Sequence, residues 1–185
     1  VEWRVTAKTP DPCNGRFVRE ANNEPNGSIL NHPAMDYFRR LWPKDLTDVG
    51  TMETSVLNPQ ATFAAYGVNS FQDVYARDMD RMQAYFNIAR RGEMTIRGQV
   101  MNVLEYIQEL DGRIQAIEAM RYEDDYMHFA GAKFQVDGAL EASYTSEPHN
   151  GIAWNIPIWK PKDLNEAVKA FHDAGYQVAL HTGGD

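Results

Sequence analysis

A single cysteine, Cys13, stands among 185 residues, so no disulfide framework can brace the chain from within. It lies in the turn-rich stretch Thr9-Pro10-Asp11-Pro12-Cys13-Asn14-Gly15, which suits a buried or surface thiol better than an activated nucleophile. Long apolar runs are missing too. No stretch could span a bilayer, and the start carries no basic segment followed by an apolar one. Basic residues are outnumbered, 18 Lys and Arg against 26 Asp and Glu, for a net charge of −8. The densest basic clusters are the pairs Arg39-Arg40 and Arg90-Arg91, too little to neutralise a phosphate backbone. The expected partners therefore include no nucleic acid and no membrane, and the expected compartment is the cytoplasm, with periplasm or secretion left open. Signature motifs are scarce as well: there is no HxH, HExxH, GxSxG, phosphate loop or GxGxxG.

What remains is the composition of one ordinary domain with a real core, 43% hydrophobic and 24% charged. Because it opens on Val1 rather than methionine, the chain is expected to be a piece of something longer. Gly15–Arg19 and Gly27–Leu30 read as a strand pair around a turn-rich segment, and Pro33 opens a short helix through Leu41. Asn58-Pro59 is expected to start a second helix, stopped by Gly67. From there strand and helix alternate. Strands are expected over 68–74, 94–101, 132–136 and 176–180, with helices over 76–91, 102–120 and 161–174. Such alternation implies parallel strands with right-handed crossovers. Residues 1–66 are expected to form a hairpin and helical region, and residues 67–185 the repeating α/β part.

The strands alternate in polarity. Lys133, Gln135 and Asp137 share one face of their strand, with Phe134 and Val136 on the other. Gln177 and His181 similarly oppose Tyr176, Val178 and Leu180. Strands of a doubly wound sheet, covered on both sides, would be apolar almost throughout. A barrel with helices outside and a polar interior near its C-terminal mouth fits better, and four strands make only half of one. The fold class expected is α/β, a partial (β/α)8 TIM-type barrel of about strands 2–5 with their helices, preceded by a short β-hairpin and helix.

His181 ends its strand, where a neutral imidazole suits either a zinc-type ligand or a plain hydrogen bond. Asp185, close behind, could act as a base or support such a ligand. Lys133 is odder, because a lysine within a buried strand is costly unless paired or chemically changed; a salt bridge to Asp137 or another carboxylate is the ordinary explanation. His149 and Trp154 lie in the long polar connection after that strand, either shaping a substrate pocket or simply being solvated and packed, as does Trp159. His32, His128 and His172 have no partner spacing and read as structural or surface residues. Glu123-Asp124-Asp125 reads as a solvated carboxylate run.

Taken together, Gly131-Ala132-Lys133-Phe134-Gln135-Val136-Asp137-Gly138-Ala139-Leu140 and Ala174-Gly175-Tyr176-Gln177-Val178-Ala179-Leu180-His181-Thr182-Gly183-Gly184-Asp185 resemble two signatures of amidohydrolase family 3, the YtcJ-like metal-dependent hydrolases. Gly67–Asp73, Gly92–Arg97 and the opening Thr9-Pro10-Asp11-Pro12 with Asn23–Gly27 resemble three more, all in the family's order. The resemblance implies a (β/α)8 metallohydrolase acting on amide, N-formyl or related carbon–nitrogen bonds. It implies Lys133 as a lysine carboxylated to bridge two divalent metals, His181 as a metal ligand, and zinc, as one or two ions, as the metal expected. The candidate site read from the residues adds Asp185 as catalytic and Asp137, His149 and Trp154 as substrate-binding residues for a small-molecule amide. Glu141 and Ala142–Thr145 depart from the family pattern in that loop. The family's strand-1 HxH, strand-6 histidine and strand-8 aspartate have no counterpart in this stretch, so the segment alone is expected to be inactive. Two alternatives stand beside this reading: a non-catalytic ligand-binding or regulatory relative, and a self-standing α/β interaction domain. With open strand edges, the isolated segment is expected to form a homo-oligomer or to aggregate.

Overall fold

The computed structural model describes residues 5–12, 15–39, 43, 48–105, 107–138, 143–148 and 157–185. Cys13, His149 and Trp154 lie outside the described residues. The chain divides into two compact units. One comprises Val1–Trp42, Val136–Ile158 and Thr182–Asp185; the other comprises Pro43–Gln135 and Trp159–His181.

In the first unit, β1 (Arg16–Arg19) and β2 (Pro25–Leu30) pair antiparallel, with Phe17 opposite Ile29. Asn23 takes the left-handed conformation in the connecting turn, at φ 67°. α1 (His32–Arg39) follows at once. Phe17, fully buried, meets Tyr37 and Phe38 edge-on at 5.5 and 6.2 Å.

The second unit is a four-stranded parallel sheet in the order β3 (Ser70–Ala76), β4 (Arg97–Leu104), β5 (Met127–Gln135), β6 (Gln177–His181). Four helices belong to it: α2 (Val49–Ala65), α3 (Met79–Arg90), α4 (Arg113–Met120) and α5 (Pro161–Asp173). The architecture is mixed α/β with parallel strands in chain order and a separate hairpin, the form of a partial TIM-like barrel. Among the described residues no helix is long and apolar enough to cross a membrane.

The two helices expected from local signals alone are displaced. α2 begins at Val49, nine residues before Asn58, because Asp48 caps it by accepting from the Thr51 amide at 2.9 Å. Pro59 sits inside this helix rather than at its start. The helix expected over 102–120 is mostly something else. β4 runs on through Leu104, a 3-10 turn covers Ile107–Glu109, and only Arg113–Met120 is helical. Gly112, at φ 66°, is the residue just before that helix and not an interior defect. Val103 and Leu104 are completely buried in the sheet, so packing against neighbouring strands overrides their helix-compatible spacing.

β4 runs without a break, so its alternation serves as a ruler for its neighbours. Gly98, Val100, Asn102 and Leu104 register with Met127, Phe129, Ala132 and Phe134 of β5. Between Val100 and Met101 the partner advances by two, from Phe129 to Gly131, which makes Ala130 the extra residue of a bulge. The bulge returns Phe129 and Phe134 to one face although they are five positions apart. On that face Phe129 meets Phe86 at 6.4 Å, and Phe134 meets Phe171 and Trp159 at 6.0 and 5.6 Å. These ring contacts tie α3 and α5 to the sheet. Tyr85 adds a polar anchor, donating to Asp73 at 2.8 Å; burial and the adjacent carboxylate hold its phenol well above the ordinary range.

α2 is fastened by one buried amide. Gln60 Oε1 accepts from the Thr95 amide at 2.6 Å and the Thr95 hydroxyl at 3.0 Å, just before β4 begins. Replacing Gln60 by Leu leaves the Thr95 amide without this partner and is expected to cost roughly 1–3 kcal/mol in urea unfolding. Gly131→Ala is expected to cost more. A Cβ there would sit 2.0 Å from the Gln177 carbonyl oxygen, at a backbone φ of 148°. Overpacking of that kind typically costs about 3 kcal/mol, and an unchanged unfolding midpoint would contradict the bulge geometry.

Candidate functional site

The face of the sheet opposite the ring contacts carries several polar side chains around the buried Met101 and Val103. Gln72 and Gln99 lie on it, joined by a 2.8 Å hydrogen bond, and further along come Lys133, Gln135, Gln177 and His181. The alternation read from the sequence is therefore the alternation found, with the bulge at Ala130 confining it to the second half of β5.

Lys133 and His181 share this face on adjacent strands. Gln135 registers with His181, and Lys133 with Ala179, so the two residues are one same-face step apart. Strand spacing near 4.8 Å and a two-residue rise near 6.6 Å separate their α-carbons by roughly 8 Å, a span that a lysine side chain bridges easily. Both are partly buried. Among the described residues Lys133 has no ion pair, so no salt bridge to a described carboxylate explains its position. The donor chemistry fits a metal in part: an imidazole and a lysine lie side by side at the C-terminal ends of parallel strands. No group of three His, Cys, Asp or Glu among the described residues could hold an ion.

The first unit places Asp137 and Asp185 differently. Asp137 is 3% exposed, and its carboxylate is taken up by main chain. It accepts from the Gly183 amide at 2.8 and 3.1 Å, the Gly184 amide at 2.7 Å and the Tyr144 amide at 3.1 Å. The two glycines are required by this approach. A Cβ on Gly184 would lie 1.6 Å from the Tyr144 carbonyl oxygen, and one on Gly183 2.7 Å from Ser143 Oγ. Asp185 accepts from the Ser146 hydroxyl at 2.6 Å and the Ser146 amide at 2.7 Å. Those two bonds hold its carboxyl below the usual carboxylate range, so it is ionised at neutral pH.

One polar cluster escaped the sequence reading. Glu105 follows β4 directly and is completely buried. Tyr75 donates to it at 2.8 Å and Arg77 pairs with it at 3.0 Å. Glu109 accepts from the Glu105 amide at 2.8 Å, closing the turn after the strand. A helix expected over these residues hid the cluster, because on a helix Glu105 would read as solvated. The signal that could have found it is the run Val100–Leu104, apolar except for Asn102, which suits a buried strand. Glu123 and Asp124 are local devices: Glu123 pairs with Arg121 at 2.7 Å, and Asp124 caps the Tyr126 and Met127 amides.

Comparison with known proteins bears on this arrangement. The sequence model of the Amidohydrolase family matches residues 1–185. The protein named "Putative amidohydrolase YtcJ" of Bacillus subtilis (strain 168) is 24% identical over 189 residues, which cover 98% of this chain and 34% of that protein. "Exoenzymes regulatory protein AepA" of Pectobacterium carotovorum subsp. carotovorum is 21% identical over 187 residues, covering 98% of this chain and 40% of that one. Two solved structures share the fold at 20% identity, each an uncharacterized metal-dependent hydrolase. The one from Pyrococcus horikoshii OT3 has a TM-score of 0.66 and covers 85% of this chain and 32% of its own. The one from Pyrococcus furiosus has a TM-score of 0.64, covering 85% and 33%. The chain thus spans well under half the length of each of these proteins. With its whole length matched by the family model, this chain belongs to the Amidohydrolase family.

Proposed function

We propose that this chain is the central part of a metal-dependent hydrolase of non-peptide carbon–nitrogen bonds, of the amide or N-formyl type, in which water is the nucleophile. The observation that carries this reading is the placement of Lys133 and His181 on one face of adjacent parallel strands, with no ion pair to hold the lysine among the described residues. The substrate class follows from family resemblance.

The roles assigned to the residues are chemical. His181 offers a ring nitrogen lone pair and so acts as the neutral imidazole. Lys133 as an ammonium would repel a cation. Its neutral amine can add carbon dioxide and lose one proton, forming a carbamate whose oxygens are anionic donors. A bound divalent metal, zinc as the family implies and as one or two ions, would supply Lewis acidity, polarising the scissile carbonyl and activating water. Asp185 is ionised and can accept a proton once its oxygens exchange Ser146 for water. The remaining ligands belong to sequence outside this stretch, so the segment by itself is inactive. His149 and Trp154 are retained as candidates for substrate contact, while the Asp137 carboxylate is already engaged by three amides.

A second reading has one specific support, the regulatory name of the Pectobacterium carotovorum relative. In it the same fold binds a small ligand without turning it over.

The full-length gene product, assayed on a panel of N-acyl and N-formyl amines, is expected to hydrolyse at least one of them, to lose activity on chelation, and to regain it with zinc, manganese or cobalt. Lys133→Ala and His181→Ala are each expected to lower kcat/KM by at least roughly 100-fold, about 2.7 kcal/mol. Metal binding without turnover on any member of the panel would favour the regulatory reading. A full-length protein that is inactive and takes up no metal would end the hydrolase one.

A further inference from the structure

The second unit carries a charged cluster at the C-terminal ends of β3 and β4, the end at which parallel α/β folds bind their ligands. Asn102 and Leu104 belong to the ring-packed face, and Ala76 registers with Asn102. Tyr75 and Arg77, on either side of Ala76, fall on the opposite face, as does Glu105, next after Leu104. Their contacts agree: Tyr75 donates to Glu105 Oε1 at 2.8 Å, and Arg77 Nη2 lies 3.0 Å from Oε2. Val103 registers with Lys133, so Glu105 stands one same-face step beyond Lys133 on one side, as His181 does on the other. Strand spacing and rise put the α-carbons of Glu105 and Lys133 roughly 8 Å apart.

As a brace this cluster is an expensive choice. Glu105 is completely buried, and apolar residues in place of a buried ion pair often serve stability as well or better. As a mount for a cation it makes sense. Glu105 commits one carboxylate oxygen to Tyr75 and the other to Arg77, which holds the guanidinium in one place. A guanidinium carries five donors in a planar fork that matches a carboxylate, more than one acceptor oxygen takes up. The Arg77 side chain keeps 15% of its surface exposed, on the face and at the sheet end that also carry Lys133 and His181. We propose that Arg77 is a specificity-determining residue that takes a carboxylate of the substrate, so that the amides turned over are acidic ones, and that Glu105 is the positioning residue that fixes its guanidinium. The spacing suits a carboxylate a few bonds away from the scissile carbonyl. This inference rests on the reading of the chain as part of a hydrolase that acts beside Lys133 and His181.

The test uses the full-length gene product and a panel of N-formyl and N-acetyl amino acids, each matched with its C-terminal amide, which keeps the shape and removes the charge. The acids are expected to exceed their amides in kcat/KM by at least about 10-fold, the scale of a hydrogen bond to a charged group, with the difference carried by KM. Arg77→Lys keeps the charge but loses the fork, and should shrink that preference. Glu105→Gln should shrink it as well, again through KM, because the guanidinium is less firmly held. Arg77→Gln combined with Glu105→Gln, which leaves no buried charge uncompensated, should abolish it. Equal kcat/KM for acids and amides across the panel would overturn the anion site and leave the hydrolase reading standing. If no member of the panel is hydrolysed, the result counts against the hydrolase reading, and calorimetry on the same protein decides the anion site separately. Binding of the acids but not of their amides supports it; equal binding, or none, sinks it. Both comparisons use the unsubstituted protein, so they decide even where a variant fails to fold.

Discussion

The arrangement depends on one extra residue in β5. Were Ala130 paired in regular alternation instead of bulged out, Lys133 would share a face with Phe129, which packs against Phe86 of α3. The bulge restores Phe134 to the ring-packed face and turns Lys133 to the polar one. It requires glycine at position 131, where the backbone passes so close to Gln177 that no Cβ fits. The Gly131-x-Lys133 spacing thus has a mechanical meaning. The glycine allows β6 to approach, and the approach sets the register that brings His181 beside Lys133.

The polar face shows how charge is handled near such a centre. Glu105 is buried, but its carboxylate is matched by a guanidinium and a phenol, so its ionisation does not go uncompensated. Asp137 is matched by amides, and Asp185 by a serine. Lys133 is partly buried in its strand and has no ion pair among the described residues.

Main-chain geometry and chemistry meet in the segment after β6. Thr182 to Asp185 has no secondary structure of its own, and its order comes from two carboxylates: Asp137 receiving its glycine amides, and its own Asp185 accepting from Ser146. These are charge-assisted bonds to residues distant in sequence.

Much of this was legible in the sequence, for physical reasons. Two-residue alternation in β5 and β6 exposed the polar face, because side chains on a strand leave it no choice. Glycine stops after α3 and α5 and a proline start for α5 located those two helices, since these residues act through local backbone geometry. Lys133 and His181 stood out because their residue types are costly or reactive where the pattern placed them. Tertiary structure decided the rest. Whether Val103 and Leu104 joined a helix or a strand depended on neighbours far away in sequence, and with them the position of Glu105. Asp48 rather than Asn58 began α2, a choice between two adequate caps. The bulge at Ala130 and the anchoring of Gly183 and Gly184 by Asp137 are contacts between segments distant in sequence. The sequence by itself determined which side chains could do chemistry; only the assembled sheet decided which of them face the same way.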